Sequence, residues 1–389
     1  MGCRKSALSF FLTMDTTLAL PLLGGLTPEQ FMKRHWQKKP LLVRQAVPGF
    51  SPLLTRAALF DLAGQEGVES RLLSEGKQGW KLRSGPIARR ALPPVSQPHW
   101  TLLVQGVDLH DDGIHAFMQQ FRFVPDARLD DLMISYASDQ GGVGPHFDSY
   151  DVFLFQAAGK RRWRIGRQKD LSLVEGLPLK ILANFEPEHE YVLEPGDMLY
   201  LPPRWAHDGV ALGGDCMTYS IGFRQPSRGE LARELLTRTA DEATDFLGDT
   251  AYRDPTQPAV SRPAEVPAAM LEFARDAVER ALSDPAQLAM ALGEALTEPK
   301  TNVWFEPSSG ATDGETGGAV VLDRRTRMMY DERHVFINGE SYRAGGRDAR
   351  AMRALADNRT LDKLEVARLS ADAIELVKQW KHAGWLHFA

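Results

Sequence analysis

Hydrophobic and polar residues alternate with two different periods along the chain, and the change of period marks its organisation. Between Trp100 and Arg224, short apolar runs such as "DLMISYAS" and "YDVFLFQAAG" are separated by turns rich in Gly, Pro and Asp. Short strands at this spacing, with no helical segments between them, predict an antiparallel β sandwich or barrel rather than a parallel α/β sheet. After Arg224 the apolar positions recur at helical spacing, and Ser227 with Glu230 predicts a capping box.

The same pattern divides the chain into five segments. We expect a disordered N-terminal extension over 1–25, a β-rich domain over 26–226, a helical segment over 227–305, a Gly-rich linker over 306–318 and a winged-helix-like α+β module over 319–389. The β-rich domain should open with a helix, because Thr27 and Pro28 are typical N-cap and first-turn residues. The helices of 227–305 carry apolar stripes that need burial, which favours a homodimer.

Composition and charge limit the partners that the protein can have. A net charge of −5 at pH 7 gives no argument for avid nucleic-acid binding. The C-terminal module has no cationic helix face, so direct DNA binding is not expected. No apolar run approaches the ~20 residues that a membrane span requires. Cys3 and Cys216 are too few for a thiolate zinc site or a disulfide framework, so we expect a cytoplasmic protein without a membrane attachment.

The pattern His-x-Asp occurs twice, and only one occurrence has the context of a metal site. His110 and Asp112 stand just before a predicted helix, where Asp111 or Asp112 would serve as a cap, so this pair is interpreted as structural. His146 and Asp148 stand in the extended stretch "GVGPHFDSY". Because residues two apart in a strand point to the same face, both side chains can reach one ion.

His207, in "LYLPPRWAHDG", is the third candidate ligand. An apolar strand ends at Pro202 and Pro203 just before it, and antiparallel sandwiches bring such distant strands side by side. Two histidines and one carboxylate form the facial triad that holds Fe(II) in non-haem oxygenases and leaves positions open for a 2-oxo acid and dioxygen. The alternative is that these are unrelated polar residues at strand ends.

A row of basic residues in "GKRRWRIG" supports the metal interpretation. Strand alternation puts Arg161, Trp163 and Ile165 on one side, and the two apolar members of this set belong inside. Arg161 therefore points inward, where a guanidinium without a partner would cost several kcal/mol. A diacid cosubstrate would supply a carboxylate as the partner. An internal Asp or Glu is the alternative partner.

These stretches resemble the JmjC-type, cupin-fold 2-oxoglutarate oxygenases, and more narrowly the bacterial ribosomal oxygenase family, which hydroxylates an arginine of a large-subunit ribosomal protein. The resemblance runs from near residue 26 to the C-terminus, and its most specific stretches are "RHWQKKPLLV", "GGVGPHFDSYDVFLFQ", "GKRRWRIG", "LEPGDMLYLPPRWAHDG" and "MTYSIGFR". It implies a mostly β core, a double-stranded β-helix or jelly-roll of the JmjC type, followed by a helical dimerisation segment and a winged-helix-like module. It also implies Fe(II), with 2-oxoglutarate and O2 as cosubstrates.

The family's metal and cosubstrate positions fall on residues that the strand pattern had already singled out. The resemblance implies iron ligands at His146, Asp148 and His207, and an anchor for 2-oxoglutarate at Arg161. It implies no catalytic residue beyond the metal centre.

The remaining site residues rest on the resemblance more than on the pattern. Thr218 and Ser135 are expected on the cosubstrate side of the pocket, although Thr218 stands where the bacterial arginine hydroxylases lead us to expect asparagine. Asp131, Tyr150 and Ser220 correspond to the acid, tyrosine and serine of the substrate pocket. Asp131 could pair with a substrate guanidinium and Tyr150 could stack on it. The alternative for Asp131 is a turn residue at a strand start.

The expected function is that of an Fe(II)- and 2-oxoglutarate-dependent protein hydroxylase, a dioxygenase acting on an arginine of a large-subunit (50S) ribosomal protein. A histidyl hydroxylase of another ribosomal protein is one alternative. A metal cupin that does not use 2-oxoglutarate is a second, and a non-catalytic interaction protein is a third.

Overall fold

The computed structural model describes residues 14–77, 79–307 and 318–389, which divide into two units. One unit runs to Gln225 and includes Thr301–Val303; the other comprises Pro226–Lys300 and Trp304–Ala389. Residues 1–13 of the expected extension and 308–317 of the expected linker lie outside the described part of the chain. Within the described residues, no helix has the length and apolar character needed to cross a membrane.

The first unit is built on a ten-stranded antiparallel sheet, which confirms the predicted β-rich fold. Its strands are β1 (Leu41–Val43), β2 (Ser70–Gly76), β3 (Gly79–Ser84), β4 (Trp100–Val104), β5 (Leu129–Ala137), β6 (His146–Phe147), β7 (Val152–Arg167), β8 (His189–Leu193), β9 (Met198–Leu201) and β10 (Trp205–Phe223). They are ordered β1-β9-β7-β10-β5-β4-β2-β3, with β6 paired to β10 and β8 paired to β7. The helices of the unit are α1 (Pro28–Arg34), α2 (Arg56–Leu62) and α3 (Asp112–Met118).

The long strands β7 and β10 hold this sheet together. Residues 152–155 of β7 pair with β9, residues 161–165 pair with β8, and β10 pairs with β7 along most of its length. The sequence pattern predicted two strands where β7 is one, because Gly159 reads as a turn. Gly159 instead adopts a φ of +64° inside the strand, and a Cβ there would lie 2.9 Å from the carbonyl oxygen of Asp215. The chain therefore bends at Gly159 without ending the strand.

The N-terminal residues that precede α1 belong partly to the fold. Thr27 caps α1 in a reciprocal capping box with Gln30, in agreement with the predicted N-cap, and α1 ends at Arg34. Leu22 and Leu23 form part of a short 3-10 helix and are buried in the core of the unit. The expectation of disorder over 1–25 does not hold for this part of the range, because its leucines pack into the core of the first unit.

The described residues of the second unit form six helices and two small sheets. Its helices are α4 (Arg228–Leu247), α5 (Ala268–Ser283), α6 (Pro285–Thr297), α7 (Gly346–Asn358), α8 (Lys363–Val366) and α9 (Ala371–His382). Its strands are β11 (Val320–Leu322), β12 (Met328–Tyr330), β13 (His334–Ile337), β14 (Glu340–Arg343), β15 (Thr360–Leu361) and β16 (Leu386–Phe388). The sheets are ordered β15-β11-β16 and β12-β13-β14. Ser227 caps α4 in the predicted capping box with Glu230.

Helix α6 packs against the β12-β13-β14 sheet, which differs from the expected domain boundary. Gly293 of α6 lies so close to Phe336 that a Cβ would be 2.4 Å from its ring. The hydroxyl of Thr297 accepts a hydrogen bond from the backbone N–H of Gly339 at 3.2 Å. Although the sequence pattern assigned 227–305 to a separate helical segment, its last helix is thus part of the winged-helix module.

Candidate functional site

Two histidines lie opposite each other where β6 meets β10. His146 of β6 and His207 of β10 are direct partners in the antiparallel register, and their ring centroids are 4.3 Å apart. Cross-strand partners in an antiparallel pair stand close enough for their side chains to share a ligand. The short strand β6 thus brings together two residues that are far apart in the sequence.

Asp148 completes a cluster with these histidines immediately after β6. Its Oδ2 lies 3.7 Å from Nε2 of His207, and the ligand atoms of the three residues all lie within 4.8 Å of one another. We call His146, Asp148 and His207 the triad. Two imidazoles and a carboxylate with room for further ligands are the donor set of a non-haem Fe(II) centre.

The backbone fixes both imidazoles so that their Nε2 atoms face the shared space. Nδ1 of His146 donates to the carbonyl oxygen of Gly144 at 2.9 Å, and Nδ1 of His207 donates to that of Trp205 at 3.0 Å. Since Nδ1 carries the proton in each ring, Nε2 keeps its lone pair. Burial, and then the neighbouring His146, lower the pKa of His207 to about 4. His207 is therefore neutral at pH 7, which is the form that binds a metal.

The triad lines a cavity of about 250 Å³. Most of the residues that the sequence analysis singled out share this cavity: besides the triad they are Arg161, Thr218, Ser135, Tyr150 and Ser220. Leu154 and Trp163 add apolar surface to its wall, and Arg71, Gln105 and Lys180 also line it. Nothing in the sequence pattern pointed to the last three, because they come from separate segments with no motif.

Among the described residues that line the cavity, Arg161 is the one buried cation. The residue is 3% exposed, its Nε donates to Sγ of Cys216 at 3.5 Å, and its guanidinium carbon lies 5.5 Å from the ring centre of Trp163. Its Nη2 atom is buried and has no hydrogen-bond partner among the described residues. An unsatisfied charged donor in such a position is costly. A carboxylate bound in the cavity would supply the missing acceptor for Nη2 of Arg161.

A buried amide connects Thr218 to Arg161 through Cys216, and sequence reasoning missed it. The hydroxyl of Thr218 donates to Oε1 of Gln156 at 3.1 Å, and Nε2 of Gln156 donates to Sγ of Cys216 at 3.4 Å. Ser135 faces Thr218 as its register partner on β5. Gln156 interrupts the apolar run "VFLFQAA" of β7. A polar residue within such a run is the signal that could have identified it.

Asp131 lies beside the cavity without lining it. Its carboxylate is buried, and Oδ2 accepts a hydrogen bond from the backbone N–H of Gly106 at 3.0 Å. Burial, and then the carboxylates of Asp148 and Asp131, raise the pKa of Tyr150 above its ordinary value. Tyr150 thus stands near both acids with its hydroxyl protonated.

Next to the other His-x-Asp pair, Asp111 serves as the helix cap, which is one of the two caps predicted there. The Asp111 side chain accepts a hydrogen bond from the backbone N–H of Ile114 at 2.9 Å and caps α3. The triad is the group of metal-ligating side chains found in the described part of the chain, and neither His110 nor Asp112 belongs to it.

Comparison with known proteins gives two family matches. The JmjC domain model matches residues 116–231, and the ROXA-like winged helix model matches residues 280–387. The ribosomal protein uL16 3-hydroxylase of Escherichia coli (strain K12) is 33% identical over 356 residues, which span 89% of this chain and 91% of that protein.

Solved structures resemble the whole chain as well. The X-ray structure of E. coli ycfD matches with a TM-score of 0.81 and 30% identity, covering 97% of this chain and all of that one. A structure of E. coli YcfD, a ribosomal oxygenase, in complex with cobalt and 2-oxoglutarate matches with a TM-score of 0.78 and 31% identity, covering 93% and 98%. These matches confirm the predicted JmjC-type β core and the C-terminal winged helix.

Proposed function

Because the chain belongs to the JmjC-type ribosomal oxygenase family, we propose that it is an Fe(II)- and 2-oxoglutarate-dependent hydroxylase of an arginine side chain in the large-subunit ribosomal protein uL16. The substrate protein comes from the E. coli relative, which is named for uL16. The cosubstrate comes from YcfD, whose complex contains cobalt and 2-oxoglutarate. Arginine as the hydroxylated side chain is proposed from the residues that line and adjoin the cavity.

One observation carries the proposal: three metal-ligating side chains and a buried guanidinium with a free donor line the same cavity. The triad leaves coordination positions open, and Nη2 of Arg161 needs an acceptor. 2-Oxoglutarate meets both needs, since one end can chelate a metal and the other is a carboxylate. A metal cupin that does not use 2-oxoglutarate would leave Arg161 without a purpose.

The residues of the chain have distinct tasks in this reaction. The triad would hold Fe(II), which when bound supplies the redox chemistry that couples oxidation of 2-oxoglutarate by O2 to hydroxylation of a side-chain carbon. Arg161 holds the far carboxylate and so fixes the orientation of the cosubstrate. Thr218 and Ser135 line its path, and Leu154 and Trp163 keep water out.

Asp131, Tyr150 and Ser220 are proposed as the substrate-binding residues. Tyr150 is 38% exposed and stands at the cavity with a protonated hydroxyl, so it can contact a side chain that enters from solvent. The carboxylate of Asp131, near Tyr150, favours a cationic guanidinium over a neutral imidazole as the substrate side chain. A histidyl hydroxylase is therefore the weaker candidate.

The second unit supports a homodimer. Large apolar side chains are exposed on α4 and α5, namely Leu236, Phe246, Leu271, Phe273 and Val278. Exposed apolar side chains concentrated on two adjacent helices mark an interaction surface. We propose that a second copy of the chain covers it, that the winged helix does not bind DNA, and that the protein acts in the cytoplasm, where ribosomes are assembled.

A peptide assay tests the proposed function. Anaerobic, Fe(II)-loaded protein would receive 2-oxoglutarate and uL16 peptides, with a matched peptide in which each arginine is replaced by lysine. After air is admitted, mass spectrometry should find one added oxygen on arginine, and no oxygen on the lysine peptide. Oxygen on a histidine would favour the alternative hydroxylase. Succinate without peptide oxidation would reject this substrate, and the absence of both products would overturn the oxygenase.

A further inference from the structure

Trp163 carries a second buried donor without a partner in the same cavity wall. The residue lies two positions after Arg161 on β7 and is 4% exposed. Its Nε1 atom is buried and has no hydrogen-bond partner among the described residues. Buried indole N–H groups usually find a partner. Two unsatisfied donors in one cavity therefore need explaining together.

The ring of Trp163 has Arg161 and His207 as neighbours. The guanidinium carbon of Arg161 lies 5.5 Å from the ring centre, and the centroid of the His207 ring lies 5.8 Å away. Trp163 thus lies close to both the proposed anchor and one residue of the triad. Its six-membered ring rests on Gly209, where a Cβ would lie 2.5 Å from Cζ3. The three nearest atoms are Cζ3, Cη2 and Cε3, so Gly209 contacts the six-membered ring and not the five-membered ring that carries Nε1.

We infer that the indole N–H of Trp163 donates a hydrogen bond to the distal carboxylate of bound 2-oxoglutarate and acts with Arg161 as a positioning residue. The inference rests on the proposed function. A carboxylate has two oxygens and about four acceptor sites, so it can serve both Nη2 of Arg161 and Nε1 of Trp163. The proximal carboxylate and the keto oxygen would serve the metal, whereas both oxygens of the distal carboxylate would be available at Arg161, whose guanidinium carbon lies 5.5 Å from the ring centre of Trp163.

Substitution of the indole by a phenyl ring separates the N–H from the packing of the ring. Full-length Co(II)-loaded protein would be titrated anaerobically by calorimetry with 2-oxoglutarate and with 2-oxopentanoate, which has the same chain length but no distal carboxylate. We expect Trp163→Phe to weaken 2-oxoglutarate binding by roughly tenfold, the loss of about one hydrogen bond to a charged group. Binding of 2-oxopentanoate should change less than about twofold.

Two reference variants make the result decisive. Trp100 is a buried indole of the same unit whose N–H already donates to the carbonyl oxygen of Pro94 at 3.2 Å, so Trp100→Phe should leave both affinities unchanged. Arg161→Met should remove the preference for 2-oxoglutarate over 2-oxopentanoate. If Arg161→Met keeps that preference, the proposed anchor and the proposed function fail. If Arg161→Met loses that preference while Trp163→Phe keeps wild-type affinities, the inference about Trp163 fails and the proposed anchor stands.

Nuclear magnetic resonance provides an independent readout of the hydrogen bond. In Zn(II)-loaded, nitrogen-15-labelled protein, the indole resonance that is missing from Trp163→Phe should move downfield when 2-oxoglutarate is added, and should not do so with 2-oxopentanoate. Equal loss of affinity for both acids, or an indole resonance that responds equally to both, would overturn the inference, because either result assigns Trp163 to packing or to the other end of the cosubstrate.

Discussion

Nε2 of His207 lies 3.7 Å from Oδ2 of Asp148, yet the two residues do not form a salt bridge at neutral pH. Because burial lowers the pKa of His207 to about 4, the imidazole is neutral there and holds a lone pair next to a carboxylate. With His146 they form a site whose three donors converge on one point. A divalent cation that binds there stabilises this arrangement. Because His207 is already neutral at pH 7, metal binding releases no proton from it.

Replacing one triad residue should abolish metal binding. Co(II) at a hundred times its Kd should stabilise the wild-type protein by about 2.7 kcal/mol, and Asp148→Ala should lose this gain. Differential scanning calorimetry with and without Co(II) measures it. The matched control is Asp112→Ala, which removes the acid of the other His-x-Asp pair and should keep the full gain. Metal stabilisation of Asp148→Ala equal to that of wild type would contradict the site.

Removing the buried guanidinium should stabilise the apoprotein while ending cosubstrate binding. Arg161→Met replaces a buried guanidinium, whose Nη2 has no partner among the described residues, by a side chain of similar length, so we expect a free energy of unfolding about 1 kcal/mol higher. Chemical denaturation measures this difference. In Arg164→Met, the buried Asp208 loses the partner that it contacts at 2.6 Å, so unfolding should become easier by about 2 kcal/mol. Destabilisation of Arg161→Met by as much would indicate an internal structural role.

A methyl group at Gly209 should displace the ring of Trp163. The added Cβ would lie 2.5 Å from Cζ3, closer than packed carbons tolerate, and overpacking of this kind costs about 1–3 kcal/mol. Gly209→Ala should therefore lower both the Tm and the affinity for 2-oxoglutarate. Gly214 lies on the same strand with open space around it, so Gly214→Ala should change neither quantity. Equal behaviour of the two variants would contradict the contact.

The acid beside the cavity should matter for the substrate and not for the cosubstrate. Asp131→Asn removes the proposed partner of a substrate guanidinium, so kcat/KM for the uL16 peptide should fall by about a hundredfold, the value of a hydrogen-bonded charge pair. The Kd for 2-oxoglutarate should not change. Asp130, next to it, pairs with Arg224 at 3.0 Å, and Asp130→Asn should retain activity. Unchanged kcat/KM in Asp131→Asn would leave Asp131 as a structural residue only.

Charge on the exposed helical face should disrupt the proposed homodimer. Light scattering should give the wild-type protein twice its chain mass of 43.3 kDa, and Leu271→Glu should give a single chain mass because it puts a carboxylate in an apolar interface. Leu364 is 68% exposed on α8, away from this face, so Leu364→Glu should remain dimeric. A monomeric wild type would refute the proposal.

Local signals in the sequence predicted the β-rich core, the capping residues and the three ligands of the triad. Strand alternation was enough to turn Arg161 inward, because its neighbours Trp163 and Ile165 are apolar. Alternation could not predict that β7 continues through Gly159, since the contact that favours a bend over a turn comes from Asp215 on another strand.

Other features depended on tertiary contacts that no local pattern encodes. Leu22 and Leu23 are buried because they pack into the core of the first unit. Helix α6 joins the winged helix because Phe336 lies against Gly293. Gln156 and Cys216 stand on β7 and β10, and only the fold brings them to Arg161. Spacing identifies ligands, whereas the residues that position them emerge from packing.

Isotope labelling tests whether the triad and Arg161 serve the hydroxylation of arginine. Fe(II)-loaded protein, 2-oxoglutarate and intact uL16 would be exposed to oxygen-18 gas, with Asp148→Ala as the control, and the digest analysed by tandem mass spectrometry. We predict one heavy oxygen atom on an arginine side chain of uL16 and none in the control. Heavy oxygen on any other residue type, or on arginine in the control as well, would contradict the account.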